Sequence, residues 1–190
     1  MPAELILASR SPQRRAILEQ LGIPFVVKVP DVAENTTGEP RDVVIGNALM
    51  KAQAVEGDLV LGVDTVVVLG ARIYGKPQDE AEARMFLQEL SGRDHEVWSG
   101  LALVEDGAAR TAALMTTVRF RELDEADLEW YLGSGEWRER AGGYAIQGRG
   151  AALVEQIDGD YSNVVGLPIP ALIELAPGLR YTSAARGPTA

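Results

Sequence analysis

The sequence predicts an α/β (α+β) fold, a mixed β-sheet with flanking helices, and three observations carry that prediction. Two long β-type runs, 94–105 and 110–121, flank an Asp106-Gly107 turn, the pattern of a long hairpin. A third run, 59–69, is rich in Val and Leu and broken only by Gly62, Asp64 and Thr65. Between the β-type runs lie segments with helical apolar spacing and recognisable start and stop residues. Hairpins mixed with crossover helices give a sheet with both parallel and antiparallel neighbours.

Taken in order, residues 4–8 read as the first strand. Ser11 caps a helix with Pro12 in its first turn; Ala16, Ile17 and Leu21 follow at amphipathic spacing, and Gly22 stops it. Residues 24–29 read as a second strand, 30–39 as a loop and 41–55 as a helix. Residues 72–74 return as the hairpin partner of 59–69 after Gly70. Asp79 with Glu82 resembles a capping box, and Ala83, Phe86, Leu87 and Leu90 then form one apolar face closed by Ser91-Gly92. A short helix is expected over 124–132, a β-rich stretch with glycine punctuation over 142–157, and a helix over 168–175. Residues 179–190 have little apolar content and read as a frayed tail, which leaves 1–178 as one domain.

Composition narrows the function. A chain of 190 residues buries roughly 70% of its unfolded surface without a disulfide or structural metal. Cysteine is absent, which removes thiolate nucleophiles and zinc-thiolate sites and fits a reducing cytoplasm. No run approaches the ~20 apolar residues that span a bilayer, so no membrane partner is expected. A net charge of −10 argues against nucleic-acid binding, which depends on Lys and Arg meeting phosphates.

With one histidine, His95, chemistry falls to carboxylates, Lys, Arg, Ser and Thr, the equipment for hard cations and phosphates. His95 itself reads as structural. Ser9 to Arg15 brings a strand end, a polar turn and a helix start together, a favourable place for an anion, although a capped surface helix would look the same. Asp64 interrupts aliphatic strand residues, and burying a lone carboxylate there is costly without a partner or cation; metal coordination or base duty accounts for the interruption better than a strand end with Asp64 simply exposed. Glu34, in a loop near the first strands, could supply a second oxygen. Residues 70–76 match G-x-x-x-x-G-K, but Pro77 follows the lysine and has neither hydroxyl nor N–H, so a P-loop is rejected. Asn47 and Lys51 are four apart and share a helix face with Val44 and Ala48. From the residues alone, Lys51 is expected to snorkel to water.

In order along the chain these pieces resemble the Maf proteins, nucleoside triphosphate pyrophosphatases related in fold to inosine triphosphatases. The matching blocks are LILASRSPQRRAILEQLG, GVDTVVV with GKP, ELSGRDHEVWSGLAL, and AGGYAIQGRGAALVEQIDGDYSNVVGLP, which touch most of residues 4–170. The resemblance implies a curved mixed sheet with two lobes around a central cleft, a nucleoside triphosphate substrate, a Mg²⁺ or Mn²⁺ ion, and water attacking the α phosphorus. Carried over by motif, Asp64 is the proton acceptor or a metal-side carboxylate and Glu34 its metal-binding companion. Ser9, Arg14, Lys51, Lys76 and Arg140 would hold the substrate and its phosphates, Glu139-Arg140 standing where the family has Asp-Lys. Gln13, Thr65 and Gln147 fall where a branch acting on dTTP and UTP differs from one acting on 7-methyl-GTP. Thr65 and Gln147 match the pyrimidine branch, whereas Gln13 matches neither. A role in regulating cell division is also associated with the family, and oligomeric state, a homodimer included, is left open.

Overall fold

The protein is described here by a computed structural model covering residues 4–181. Its strands are β1 (Leu5–Ala8), β2 (Phe25–Val27), β3 (Leu59–Leu69), β4 (Arg72–Tyr74), β5 (Asp94–Glu105), β6 (Ala108–Phe120) and β7 (Val154–Asp158). Its α-helices are α1 (Pro12–Gln20), α2 (Pro40–Gln53), α3 (Glu80–Leu90), α4 (Glu125–Leu132), α5 (Tyr161–Val165) and α6 (Ile169–Leu175). The strands form one open seven-stranded mixed sheet in the order β2-β1-β3-β5-β6-β7, with β4 also on β3. Parallel pairing is confined to β1 with β2 and β3; every other pair is antiparallel.

The β3–β5–β6 ladder is the backbone of the molecule. β3 meets β5 from Leu59↔Glu105 to Val68↔Glu96, so β1 and β4 must share its other edge. β1 occupies that edge at Val60–Gly62 and β4 at Val67–Leu69. Residues 63–66 therefore run between two strand ends with neither of them as a ladder partner. This break, at the carboxyl end of a parallel strand, is the kind of crevice in which open α/β sheets bind ligands.

Helix α2 lies close across one face of the ladder because two glycines let it. A Cβ built on Gly62 would stand 2.0 Å from the carbonyl oxygen of Ala48, and one on Gly100 would stand 2.3 Å from that of Val44. Any larger residue would push the helix away. The apolar side chains pack into clusters on either side of the break. One gathers α3, α4, Phe120, Trp137, Tyr144 and Leu153; the other gathers β1, α1, α6, Leu61 and Leu101.

Several sequence expectations need correction. Residues 142–153 are not β: two 3-10 turns, Ala141–Gly143 and Arg149–Leu153, precede a strand that begins only at Val154. Gly142 and Gly143 take φ of 68° and 73°, which a strand does not allow. Helix α5 is an element that sequence periodicity does not predict; Asp160 caps it and Gly166, at φ 118°, ends it. At α3 the Asp79 carboxylate does accept from Glu82 N at 2.8 Å, but Glu82 reaches back to Gln78 N rather than to the cap itself. The complete capping box belongs to Asp124 and Asp127 at α4. Leu179 is buried in the core within the 3-10 turn Pro177–Tyr181, and the rest of the expected tail, 182–190, lies outside the described residues. No described helix is long and apolar enough to cross a membrane.

Candidate active-site cleft

At the break in the sheet edge a cleft of about 800 Å³ opens. Ser9, Gln13, Arg14, Glu34, Lys51, Asp64, Thr65, Lys76, Arg140 and Gln147 all line it. Residues drawn from six separate stretches of sequence thus meet around one space.

Side chains alternate along β3, so Asp64 faces α2 while Thr65 faces the opposite side. Asp64 is 3% exposed and both of its oxygens are held from α2: Lys51 Nζ donates to Oδ1 at 2.6 Å and Asn47 Nδ2 to Oδ2 at 2.9 Å. The i, i+4 spacing of Asn47 and Lys51 makes this possible. Lys51 also lies 2.7 Å from Glu34 Oε1 and donates at 3.4 Å to the Val63 carbonyl, in the stretch of β3 that neither β1 nor β4 pairs. It is 6% exposed and does not snorkel. Two carboxylates and a strand carbonyl, all distant in sequence, attract it inward more strongly than water does, and helix periodicity carries no trace of them.

Arg14, on the first turn of α1, is the second buried cation. Its Nε donates to Gly166 O at 2.9 Å, its Nη1 to Ser9 Oγ at 3.0 Å and Val63 O at 2.9 Å, and its Nη2 to Thr65 Oγ1 at 3.1 Å. Four of the five guanidinium N–H groups are committed to the protein, which leaves one for a ligand. Burial lowers its pKa from the ordinary arginine value, while Asp64 and Glu34 pull it back up. Thr65 Oγ1 also pairs with Ser99 Oγ at 2.9 Å. Ser99 is fully buried, and the sequence marks it only as a hydroxyl in a largely apolar strand.

The facing wall is built differently. Lys76 Nζ is 3.3 Å from Glu139 Oε2, and both side chains are largely exposed. Lys76 follows the β3–β4 hairpin and does not open a helix, which agrees with the rejection of a P-loop. Arg140 donates to Gln13 Oε1, which also accepts from Ser11 Oγ at 3.2 Å, so the Gln13 amide nitrogen keeps its hydrogens for other partners. Burial lowers the Arg140 pKa, opposed by Tyr131, Glu136 and Glu139. Gln147 is exposed at the rim. Beneath this wall Tyr144 is buried, and its hydroxyl lies 2.9 Å from His95 Nε2. Burial raises the Tyr144 pKa and pushes that of His95 down to about 4. His95 packs edge-on against Phe120 and does not line the cleft, consistent with a structural histidine.

What the arrangement offers chemically is a shielded carboxylate, a second carboxylate nearby on a loop, and cations placed around both. Glu34 and Asp64 contact the same ammonium, so they could share a hard cation. No cluster of three or more His, Cys, Asp or Glu suited to a metal occurs among the described residues.

The chain is 47% identical to the dTTP/UTP pyrophosphatase of Symbiobacterium thermophilum over 90% of this chain and 92% of that protein. It is 48% identical to the protein of that name from Gloeobacter violaceus, over 92% and 95% of the two chains. For that of Dictyoglomus thermophilum the identity is 43%, over 96% and 99%. Among solved structures, the Ham1 protein of Staphylococcus aureus is similar at a TM-score of 0.45 and 16% identity, over 62% of this chain and 71% of that one. The model of the Maf-like protein family matches residues 4–178, and the chain belongs to that family.

Proposed function

We propose that this protein hydrolyses the α–β phosphoanhydride of dTTP and UTP, releasing the nucleoside monophosphate and pyrophosphate, with a Mg²⁺ or Mn²⁺ ion. The observation that carries the reading is the convergence of Glu34, Lys51 and Asp64 at the break in the sheet. Relatives of 43–48% identity over most of the chain that bear the name dTTP/UTP pyrophosphatase support it. The reading puts the enzyme in the cytoplasm, where free nucleoside triphosphates are held.

Glu34 and Asp64 fit a magnesium-type ion by their chemistry. Such an ion takes one or two carboxylates and fills its remaining positions with water and phosphate oxygens. When bound, it would polarise phosphoryl oxygens and neutralise part of their charge. The protein's own residues do the rest. Asp64 takes a proton from water as the water oxygen attacks the α phosphorus, and the bond from that phosphorus to the bridging oxygen breaks. Lys76 holds phosphoryl oxygens, and Lys51, whose ammonium faces both carboxylates and the Val63 carbonyl, lends positive charge that offsets what collects on departing pyrophosphate. Ser9 and the one uncommitted N–H of Arg14 flank the same phosphates, and Arg140 steadies Gln13. Gln147 and the free amide hydrogens of Gln13 meet the base, whose adjacent carbonyl and N–H suit an amide.

The test is incubation with magnesium and a panel of canonical and modified triphosphates, with products separated by chromatography. Monophosphate and pyrophosphate from dTTP and UTP are expected. Nucleoside diphosphate with orthophosphate would defeat the cleavage assignment, and turnover of 7-methyl-GTP in preference to both would defeat the substrate assignment.

A further inference from the structure

Asn47 stands where helix α2 would be better served by an apolar residue. It is 2% exposed in the middle of the helix, beside Val44 and Ala48 in the packing against the sheet. Asparagine is a weaker helix former than alanine or leucine, and a buried amide is costly unless bonded. Here it is bonded on both sides. Nδ2 donates to Asn35 O at 2.8 Å and to Asp64 Oδ2 at 2.9 Å, and Oδ1 accepts from Asn35 N at 2.8 Å. These partners fix which way the amide points. The Asn35 N–H requires an oxygen, and the carboxylate requires a donor.

One side chain therefore ties together two parts of the site that share no local backbone. The loop that carries Glu34 is pinned through both backbone groups of the next residue, and the strand that carries Asp64 is held through its carboxylate. Lys51, one turn further along the helix, contacts the remaining oxygen of Asp64 and one of Glu34. Lys51 supplies charge, whereas Asn47 supplies the fixed separation.

We propose that Asn47 is a positioning residue that sets the spacing of the Glu34–Asp64 pair and so presents both carboxylates to one divalent cation. The proposal rests on the activity proposed above for that cation's part in turnover. The ligand shell around a metal site is commonly worth about 10- to 100-fold in metal affinity, and Asn47 belongs to that shell by holding both carriers in place.

The experiment titrates Mn²⁺ into the full chain without nucleotide and follows free Mn²⁺ by electron paramagnetic resonance. Wild type is compared with Asn47→Leu, Asn47→Ser and, as a chain destabilised away from the cleft, Leu172→Ala; Leu172 is fully buried on α6. Wild type and Leu172→Ala are expected to bind alike, and both Asn47 variants at least about tenfold more weakly. Wild-type affinity in a folded Asn47 variant overturns the proposal, as does an equal loss in Leu172→Ala or a wild type that binds no Mn²⁺. If Asn47→Leu fails to fold, the smaller Asn47→Ser decides. Pyrophosphate release from dTTP, measured in parallel, separates the two claims. Mn²⁺ binding that depends on Asn47 without any pyrophosphate release would sink the activity and leave the positioning role standing.

Discussion

The two walls of the cleft are held to very different degrees. On the β1–α1–α2–β3 side, Ser9, Arg14, Asn47, Lys51 and Asp64 are all at most 9% exposed and cross-linked by hydrogen bonds. On the facing side Lys76, Glu139 and Gln147 are exposed, and the Lys76–Glu139 pair is a surface ion pair of little energetic weight. The fold has fixed in advance the groups assigned to bond breaking, with Ser9 and Arg14 beside the phosphates, and has left exposed Lys76 and Gln147, which are assigned to the far end of the phosphates and to the base. Preorganised polar groups avoid reorganisation during the reaction, whereas a wall that must admit and release substrate gains from looseness. If this division is right, substitutions on the first wall should be severe and those on the second graded.

The sharpest attempt to break the contrast is Asp64→Asn. The amide keeps the volume of the carboxylate but cannot accept the proton, so turnover of dTTP should fall by at least about 10³-fold. The circular dichroism spectrum should be unchanged. Near-normal turnover would remove Asp64 from its role and with it the claim that the rigid wall does the chemistry.

Next comes Lys51→Met, which leaves Asp64 with an uncompensated charge. Removing one partner of a buried pair costs about 3–5 kcal/mol. The lower end, about 3, is expected here, because Glu34 is 39% exposed and water screens its share. Urea unfolding should show that loss, and magnesium should recover more of it in the variant than in wild type. An unfolding free energy equal to wild type would mean that the pair is solvated and the wall not preorganised.

How much of this contrast could be read from sequence depends on how local each signal is. Asp64 was visible because a carboxylate in a β-type run is an anomaly within a few residues, and Ser11-Pro12 marked α1 for the same reason. Periodicity misplaces Lys51 because what draws it inward lies on a strand and a loop, away from its own helix. The glycines at 62 and 100 gave no warning that α2 would approach so closely; each looks like any strand glycine until the helix is laid across both. The 142–153 segment misled in the opposite way, since its β-type composition serves the core through Tyr144, Ile146 and Leu153 while its glycines bend it into turns. Five-residue α5 lacked the length for any periodicity to show, though its Asp160 cap and Gly166 stop were both in view.

The loose wall still has a firm foundation, and pH should reveal it. His95 supports Tyr144 and has its pKa lowered by burial from 6.5 to about 4. The unfolded chain therefore binds a proton below about pH 6.5 that the folded chain refuses until about pH 4. Stability from this group is complete at neutral pH, is lost as pH falls between those values, and changes no further below them. Between pH 7.5 and 5 the loss should be about 2 kcal/mol, read as the difference in urea unfolding between wild type and His95→Gln. Parallel pH profiles for the two chains would show that the imidazole titrates freely and that the wall is not anchored through it.

The mildest effect is expected at the rim, and it bears most directly on what the loose wall is for. Gln147 is exposed, so Gln147→Glu should leave folding unchanged, in contrast to the substitutions at Lys51 and His95. An amide can donate to a pyrimidine carbonyl and accept from its N–H, whereas a carboxylate can only accept. Losing the donor, and bringing a negative charge toward a carbonyl oxygen, should lower kcat/KM for dTTP and UTP about tenfold, about 1.4 kcal/mol. The loss for a triphosphate whose base edge presents adjacent donors should be smaller. Because the groups assigned to bond breaking stand on the other wall, the change should appear chiefly in KM, with kcat nearly preserved. A fall in kcat for every substrate alike would instead place Gln147 among the groups that orient the phosphates, and the two walls would then have to be understood as one device.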